Sequence, residues 1–126
     1  MSSVLDASAV LAYLHREPGW EVVQPRLEGA SLCAVNWSEV AQKTTQKGLD
    51  AGRVREFLLE LGLEIAPFST DHAEITAKLW QQTQQLGLSL ADRACLALAI
   101  ERQTAVLTAD RAWADLKLEV AVELLR

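Results

Sequence analysis

The sequence predicts an α/β fold, a three-layer α/β/α arrangement with a central, mainly parallel sheet of four to five strands. Two patterns predict it: short apolar runs typical of buried strands recur along the chain, and runs with helical spacing of apolar residues separate most of them. The length of 126 residues is typical of one domain, and we see no repeat, low-complexity run or linker. We therefore expect a single domain over residues 1–126.

The first half of the chain is expected to contain two strands and three helices. Their expected bounds are 2–5 for the first strand, 8–16 and 20–27 for two helices, 31–34 for the second strand and 36–47 for a third helix. Val10, Leu11 and Leu14 form the apolar stripe of the first helix, which Glu17-Pro18-Gly19 should end. Pro25 should kink or shorten the second helix.

The second half is expected to contain three helices and three strands. Their expected bounds are 51–61 for a helix, 63–67 for a strand, 70–86 and 89–102 for two helices, and 105–107 and 118–122 for two strands. Thr70-Asp71-His72 should cap the long helix, and Gly87 should close it. In a sheet of this type, ligands bind beyond the carboxyl ends of the strands.

Composition limits the classes of function. There is no run of about 18 uncharged apolar residues, and residues 1–6 lack the basic and apolar regions of a signal peptide. Cys33 and Cys95 lie in apolar contexts, so we expect buried free thiols and a cytoplasmic location. The net charge of −5 argues against nonspecific attraction to nucleic acid. A carboxylate cluster would make a chain acidic and still become locally cationic once it binds metal.

Four carboxylates occur where a sheet edge would collect them. Asp6 follows the first strand and Asp110 the fourth, so both should lie at the carboxyl edge of the sheet. Glu39 and Asp92 are expected in the first turns of helices, and the helix of Glu39 should begin at that same edge. Only inference connects Asp92 with the edge, because no strand directly precedes its helix.

Each of these acids also has a capping explanation. Asn36 with Glu39 fits a capping box, Ser89 with Asp92 resembles one, and an aspartate after a strand can be an N-cap. Capping does not require the acids to gather at one edge, however. If they gather, their mutual repulsion would favour a hard divalent cation such as Mg²⁺, which can activate water for phosphodiester hydrolysis.

Four segments, in this order, resemble those of PIN domains and, within that family, the VapC-type toxins. The segments are Val4-Leu5-Asp6-Ala7-Ser8-Ala9, the helical Glu39, Leu90-Ala91-Asp92-Arg93-Ala94-Cys95-Leu96-Ala97-Leu98-Ala99, and Val106-Leu107-Thr108-Ala109-Asp110-Arg111-Ala112-Trp113. The resemblance covers essentially the whole chain and implies a PIN-like fold. It also implies Mg²⁺- or Mn²⁺-dependent cleavage of RNA that leaves a 5′-phosphate and a 3′-hydroxyl.

The resemblance further implies residue roles and partners. Asp6, Glu39, Asp92 and Asp110 would form the acidic quartet of the family, while Ser8 and Thr108 would orient carboxylates or water near the metal. Asp115 is a candidate fifth acid in a looser context. The partner would be a cognate antitoxin that holds the toxin inactive, and the toxin would commonly be a homodimer.

Individual roles follow as hypotheses. Asp6 and Asp92 would contact metal directly, Asp110 directly or through water, and Glu39 would hold or deprotonate a water. RNA phosphate contacts are expected from Arg93, Arg111 and Lys43, with Lys47 and Arg53 as further basic candidates. The two arginines fit solvent-facing helical positions equally well.

Other features favour structural roles. His15 and His72 have no second histidine at helical spacing, so surface or capping roles are favoured over metal binding. The tryptophans favour packing, although Trp37 and Trp113 neighbour acids and could stack on bases. Val54, Phe57, Leu58 and Leu61 fit either a groove for an antitoxin helix or this domain's own core.

Two functional alternatives remain open. A receiver-like signalling domain would need an acid after Glu64-Ile65-Ala66-Pro67-Phe68-Ser69 and a lysine after a later strand, whereas Lys117 precedes the last expected strand. The other alternative is a catalytically silent PIN fold that binds RNA or protein, against which the complete acidic quartet argues.

Overall fold

The computed structural model describes residues 2–126, which form a parallel five-stranded sheet between two layers of helices. The strands are β1 (Val4–Leu5), β2 (Ser31–Cys33), β3 (Glu64–Ala66), β4 (Val106–Thr108) and β5 (Val122–Leu124). Their order across the sheet is β3-β2-β1-β4-β5, which places β1 at the centre. This arrangement confirms the predicted α/β/α class and differs from the 2-1-3-4-5 order of receiver-type sheets.

Six α-helices connect the strands in the described part of the chain. They are α1 (Ala7–His15), α2 (Trp20–Val23), α3 (Ala34–Gln46), α4 (Ala51–Glu60), α5 (Thr70–Thr83) and α6 (Leu90–Arg102). Short 3-10 helices lie at Gln24–Arg26, Gln84–Leu86 and Arg111–Asp115. The shortening expected from Pro25 is confirmed, because α2 ends at Val23 and the proline lies in the 3-10 turn that follows.

Alternate residues of the central strands pack into two separate cores, as expected for a sheet covered on both faces. Leu5 and Leu107 point into the core under α1 to α4. Val4 and Val106 point into the core under α5 and α6. Cys33 and Cys95 are buried free thiols, as the sequence predicts, and both belong to this second core.

Two expected element starts and one expected cap differ from the structure. The last strand begins at Val122 instead of Leu118. Leu118 and Val120 pack against the core from a loop, and hydrogen bonding with β4 starts only where the Val106 N–H donates to the Ala121 carbonyl. Helix α3 begins at Ala34, two residues earlier than expected. The N-cap of helix α5 is Ser69, and of the expected capping residues only His72 completes the cap with its side chain.

No helix within residues 2–126 combines the length and apolarity needed to cross a bilayer.

Candidate active site

The central strand delivers Asp6 to the carboxyl edge of the sheet, and the neighbouring strand β4 delivers Asp110 to the same edge. Asp6 is the N-cap of α1, where its Oδ1 accepts the Ala9 N–H at 2.9 Å. Asp110 is the N-cap of the 3-10 helix that follows β4, where its Oδ1 accepts the Ala112 N–H at 3.0 Å. Both acids are therefore helix caps, and both also lie at the same edge of the sheet.

Two hydroxyl groups fix the orientation of the Asp6 carboxylate. The Ser8 hydroxyl donates to Asp6 Oδ1 at 2.6 Å, and the Thr108 hydroxyl donates to Asp6 Oδ2 at 2.5 Å. Each hydroxyl also accepts a backbone N–H from the β4 end, Ser8 from Ala109 at 2.9 Å and Thr108 from Asp110 at 3.0 Å. These bonds tie both sides of the edge to one carboxylate, so Asp6 cannot change rotamer without breaking several of them.

Asp6 is nevertheless in an environment that opposes its charge. It is only 5% exposed, and this burial raises the pKa of the Asp6 carboxyl from its ordinary 3.8 to about 6. The hydrogen bonds from Ser8, Thr108 and Ala9 lower the pKa by less, and the charge of Asp92 raises it further. The fold therefore holds a carboxylate where nothing in its surroundings fully compensates its charge.

Glu39 is held by a buried amide. Because α3 begins at Ala34, Glu39 lies in the second turn of that helix, and the expected capping box with Asn36 was wrong. Instead, the Asn36 Nδ2 donates to Glu39 Oε1 at 3.1 Å and to the Ala91 carbonyl oxygen at 3.0 Å. Asn36 is 1% exposed, so this amide is a buried bridge between α3 and the start of α6.

Asp92 forms the capping box that its sequence context suggests. Its backbone N–H donates to Ser89 Oγ at 3.1 Å, and its Oδ2 accepts the Ser89 N–H at 3.0 Å. Asp92 also lines the same pocket as Asp6. The negative charge of Asp92 contributes to the raised pKa of Asp6.

The quartet converges on one open pocket. The pocket has a volume of about 220 Å³ and is lined by Asp6, Ala7, Ser8, Leu11, Asn36, Glu39, Lys43, Asp92 and Asp110. Within residues 2–126, however, no three His, Cys, Asp or Glu side chains are close enough to enclose a metal ion by themselves. The structure thus brings the four acids together as the walls of a pocket, without forming a closed coordination cage.

The donor atoms nevertheless fit a water-rich Mg²⁺ or Mn²⁺ site. Capping occupies one oxygen each of Asp92 and Asp110, and the Asn36 amide occupies one of Glu39, so each acid keeps a second oxygen for another ligand. A carboxylate oxygen has two lone pairs, so Asp6 Oδ2 also retains acceptor capacity. Mg²⁺ usually keeps several waters and takes one or two carboxylates together with substrate phosphates. An open wall of oxygens suits that preference.

The basic candidates differ in where they lie. Lys43 lines the acidic pocket, one helical turn beyond Glu39. The Arg93 guanidinium donates to the Thr76 carbonyl at 2.9 Å and so ties α6 to α5. Arg111 is exposed on the 3-10 helix. Asp115 lines a different pocket, together with Lys117 and residues of the α5 end. Their functional roles stay predictions, with Lys43 in the best position.

The remaining candidates mostly have structural positions. Trp113 is fully buried, whereas Trp37 is partly buried against the other core. His72 completes a capping box with Ser69, which confirms the capping role expected for it. Leu58 is buried in this domain's own core, and Val54 and Leu61 pack partly against it, whereas Phe57 is 45% exposed. A groove for an antitoxin helix stays a prediction.

Sequence reasoning missed the role of Asn36. Asparagine three residues before glutamate is a capping signal, and this signal concealed a side-chain bridge between two acid-bearing helices. No sequence pattern near Asn36 signals this bridge, because its second partner is the Ala91 carbonyl, 55 residues away.

Comparison with known proteins agrees with this architecture. A family model described as the PIN domain matches residues 3–118. A toxin–antitoxin complex from Klebsiella pneumoniae contains a chain with 20% identity and a TM-score of 0.79, covering 99% of this chain and 98% of that one. FitAcB from Neisseria gonorrhoeae gives 23% identity and a TM-score of 0.71, with coverages of 97% and 96%. VapBC2 from Rickettsia felis, bound to a promoter DNA fragment, gives 15% identity and a TM-score of 0.71, with 98% of both chains covered. A search of curated protein sequences gives no significant match.

Proposed function

The chain belongs to the PIN domain family, and from this premise we propose that it is an endoribonuclease that hydrolyses RNA phosphodiester bonds with Mg²⁺ or Mn²⁺. One observation carries the proposal: four carboxylates from four separate segments of the chain line one pocket at the carboxyl edge. The four ion pairs among residues 2–126 include none of these acids. A divalent cation together with a substrate phosphate would complete such a site.

Asp6, Asp92 and Asp110 are the residues proposed to hold the metal. When bound there, Mg²⁺ or Mn²⁺ would supply Lewis-acid stabilisation of phosphate charge and a more acidic water. Asp6 contributes a fixed orientation, because Ser8 and Thr108 hold both of its oxygens. Asp92 and Asp110 contribute the oxygens that capping leaves unused.

Glu39 is proposed to accept the proton of the attacking water. The Asn36 amide holds one oxygen of Glu39, which leaves the other to face that water. In-line attack on the phosphorus would break the bond to the 3′ oxygen, which would leave with the bonding electron pair and take a proton from solvent water, so the products would be a 5′-phosphate and a 3′-hydroxyl. Lys43 would contact a phosphate of the bound strand.

The proposed biological role is that of a VapC-type toxin in the cytoplasm. Its support is the PIN domain match together with fold similarity to chains of toxin–antitoxin complexes. The cognate antitoxin would hold the toxin inactive, and the toxin would form a homodimer. Val54 and Leu61 pack partly against the domain's own core, whereas Phe57 is exposed on α4, and we propose Phe57 as an apolar contact for an antitoxin helix.

Cleavage of a panel of structured RNAs by purified, antitoxin-free protein tests the proposal. We expect cutting in Mg²⁺ or Mn²⁺, no cutting with chelator, and no cutting by Asp6→Asn. Asp71→Asn is the matched control, because Asp71 is an exposed acid in the first turn of α5, outside the pocket. Folded wild-type protein that cuts no RNA in either metal would favour a silent binding module instead.

A further inference from the structure

The acidic pocket continues into a second, basic pocket. The second pocket has a volume of about 300 Å³ and is lined by Ser8, Leu11, His15, Glu17, Lys43 and Lys47. Ser8, Leu11 and Lys43 line both pockets, so the two form one groove. The groove runs between α1 and α3, away from the sheet edge. Four carboxylates line one end of it, and at the other end two lysines lie with His15 and a single carboxylate, Glu17, which is within 3.9 Å of His15.

Lys43 lies in the last turn of α3 and Lys47 is the C-cap residue of that helix. They are four residues apart, and both line the second pocket. Both are exposed, and the four ion pairs found in residues 2–126 involve neither of them. Lysines near a helix C-terminus also stabilise the helix dipole, but that role does not require them to line a groove.

The dimensions suit a nucleic-acid strand. From Glu39 to Lys47 the helix advances about 12 Å, since each residue of an α-helix rises about 1.5 Å. A stacked strand rises about 3.4 Å per nucleotide, so the groove is long enough for more than one nucleotide beside the site of cleavage.

The distribution of charge favours an RNA strand that follows the α1–α3 groove. Among the basic residues near the acids, Arg93 is engaged by the Thr76 carbonyl. The protein as a whole carries a net charge of −5, so an RNA strand would be repelled by much of its surface. The α1–α3 groove is where cationic side chains directly adjoin the acidic pocket.

From these observations we propose that the α1–α3 groove is a phosphate-binding subsite. In it, Lys43 and Lys47 contact two consecutive backbone phosphates of a single-stranded RNA segment flanking the scissile bond. This inference deepens the nuclease proposal and rests on it for the choice of ligand. Contacts of this kind bind any base sequence, so they set affinity and position rather than specificity.

Binding of a fluorescein-labelled oligouridylate tests the subsite. Anisotropy is measured in Ca²⁺, which prefers the same oxygen ligands as Mg²⁺, over a range of salt concentrations, and gels confirm that the strand stays intact. The double variant Lys43→Ala, Lys47→Ala should bind roughly three- to tenfold more weakly at low salt. Its slope of log affinity against log salt should be shallower by about 1.4, because each phosphate contact with a single strand contributes about 0.7.

Two further variants separate contact from general charge. Lys78→Ala, Lys117→Ala removes two exposed lysines elsewhere and should leave the slope unchanged. Lys43→Arg, Lys47→Arg keeps the charge and should keep the binding, and thermal melting confirms that all variants fold. Equal losses in the groove and control variants, or no binding by the wild type, would overturn the subsite.

Cleavage assays in Mn²⁺ distinguish failure of the subsite from failure of the nuclease. Binding that depends on Lys43 and Lys47, without cleavage by the wild type, would contradict the nuclease and support the subsite. Cleavage with the same KM in the groove and control variants would support the nuclease and overturn the subsite.

Discussion

The two edges of the sheet treat their acids in opposite ways. At the amino edge, Glu64 begins β3 and is met by Arg102 from the end of α6 at 2.7 Å, with the Ser31 hydroxyl donating to the same oxygen at 2.8 Å. At the carboxyl edge, Asp6 receives only hydroxyl and backbone donors and lies near a second acid, Asp92. At the amino edge an arginine neutralises the carboxylate of Glu64, whereas no cationic side chain within residues 2–126 pairs with Asp6 at the carboxyl edge.

The difference is visible in the direction of the pKa shifts. The hydrogen bond from Arg102 lowers the pKa of Glu64, so the ionised form favours the folded state. Burial raises the pKa of Asp6 to about 6, so its ionised form opposes folding near neutral pH. A fold that retains such a carboxylate gives up stability, and sites of this kind concentrate where chemistry occurs.

The largest expected difference in activity is between glutamate-to-glutamine substitutions at the two edges of the sheet. Glu39→Gln should reduce RNA cleavage at least 100-fold, because an amide cannot accept the proton of the attacking water. Glu64→Gln should leave the cleavage rate unchanged within about twofold, since Glu64 lies at the opposite edge. Single-turnover rates in Mn²⁺ measure both variants, and equal rates would remove the functional difference between the edges.

Loss of the Asn36 bridge should have the next largest effect. Groups that orient metal-site residues typically contribute 10- to 100-fold to activity, so Asn36→Ala should lower kcat by roughly that factor with little change in KM. Thr44→Ala is the control, because Thr44 is also buried on α3 and its hydroxyl bonds only to the Val40 carbonyl. If both variants lose kcat in proportion to their lost stability, Asn36 is merely structural.

Asp6→Asn should stabilise the metal-free protein at neutral pH. Asparagine also caps helices well, and a shift from 3.8 to about 6 corresponds to about 3 kcal/mol at most. Some hydrogen bonding is lost, so we expect a gain of about 1–2 kcal/mol.

The pH dependence gives the sign check for that prediction. Because the folded pKa of Asp6 is raised, its contribution to stability is full below pH 3.8 and is lost as the pH rises through about 6. Urea unfolding in chelator should therefore show a difference between wild type and variant that grows over this range. A difference that is constant from pH 4 to pH 7 would contradict the assignment.

The smallest expected change in stability is at the amino edge, where Arg102 pairs with Glu64. Arg102→Met should cost about 0.5–1 kcal/mol at pH 7, since the pair with Glu64 is largely exposed. The cost should shrink as the pH falls below the ordinary glutamate value, because the lowered pKa of Glu64 contributes only while the group is ionised. Thermal melting at pH 7 and pH 3.5 measures the change, and a loss above about 2 kcal/mol would mean that the pair is more than a surface bridge.

The sequence predicted the sheet and the edge well because these depend on local patterns. Asp6 and Asp110 each follow a short apolar strand, and parallel strands bring such residues to one edge regardless of loop details. The helix positions were harder: α3 starts at Ala34 without a side-chain cap, so the pattern suggested Asn36 as its start. The role of Asn36 depends on a contact with Ala91, 55 residues away in the sequence, which no local pattern reports.

The ion pair at the amino edge and the loop before β5 were equally unpredictable from local sequence patterns. Arg102 and Glu64 are far apart in the sequence, and Leu118 and Val120 imitate a strand because a loop that packs against a core also alternates. Local periodicity indicates which residues are buried, whereas pairing between distant segments is decided by the whole fold.

Mn²⁺ binding, followed by the electron paramagnetic resonance signal of free Mn²⁺, tests the central claim most directly. The wild type and Glu64→Gln should bind Mn²⁺ at the carboxyl edge with equal affinity. Asp92→Asn should bind Mn²⁺ at least tenfold more weakly, although an asparagine side chain can retain the capping role of Asp92. Equal affinity in all three proteins, or no binding by the folded wild type, would mean that the gathered acids are caps and not a metal site.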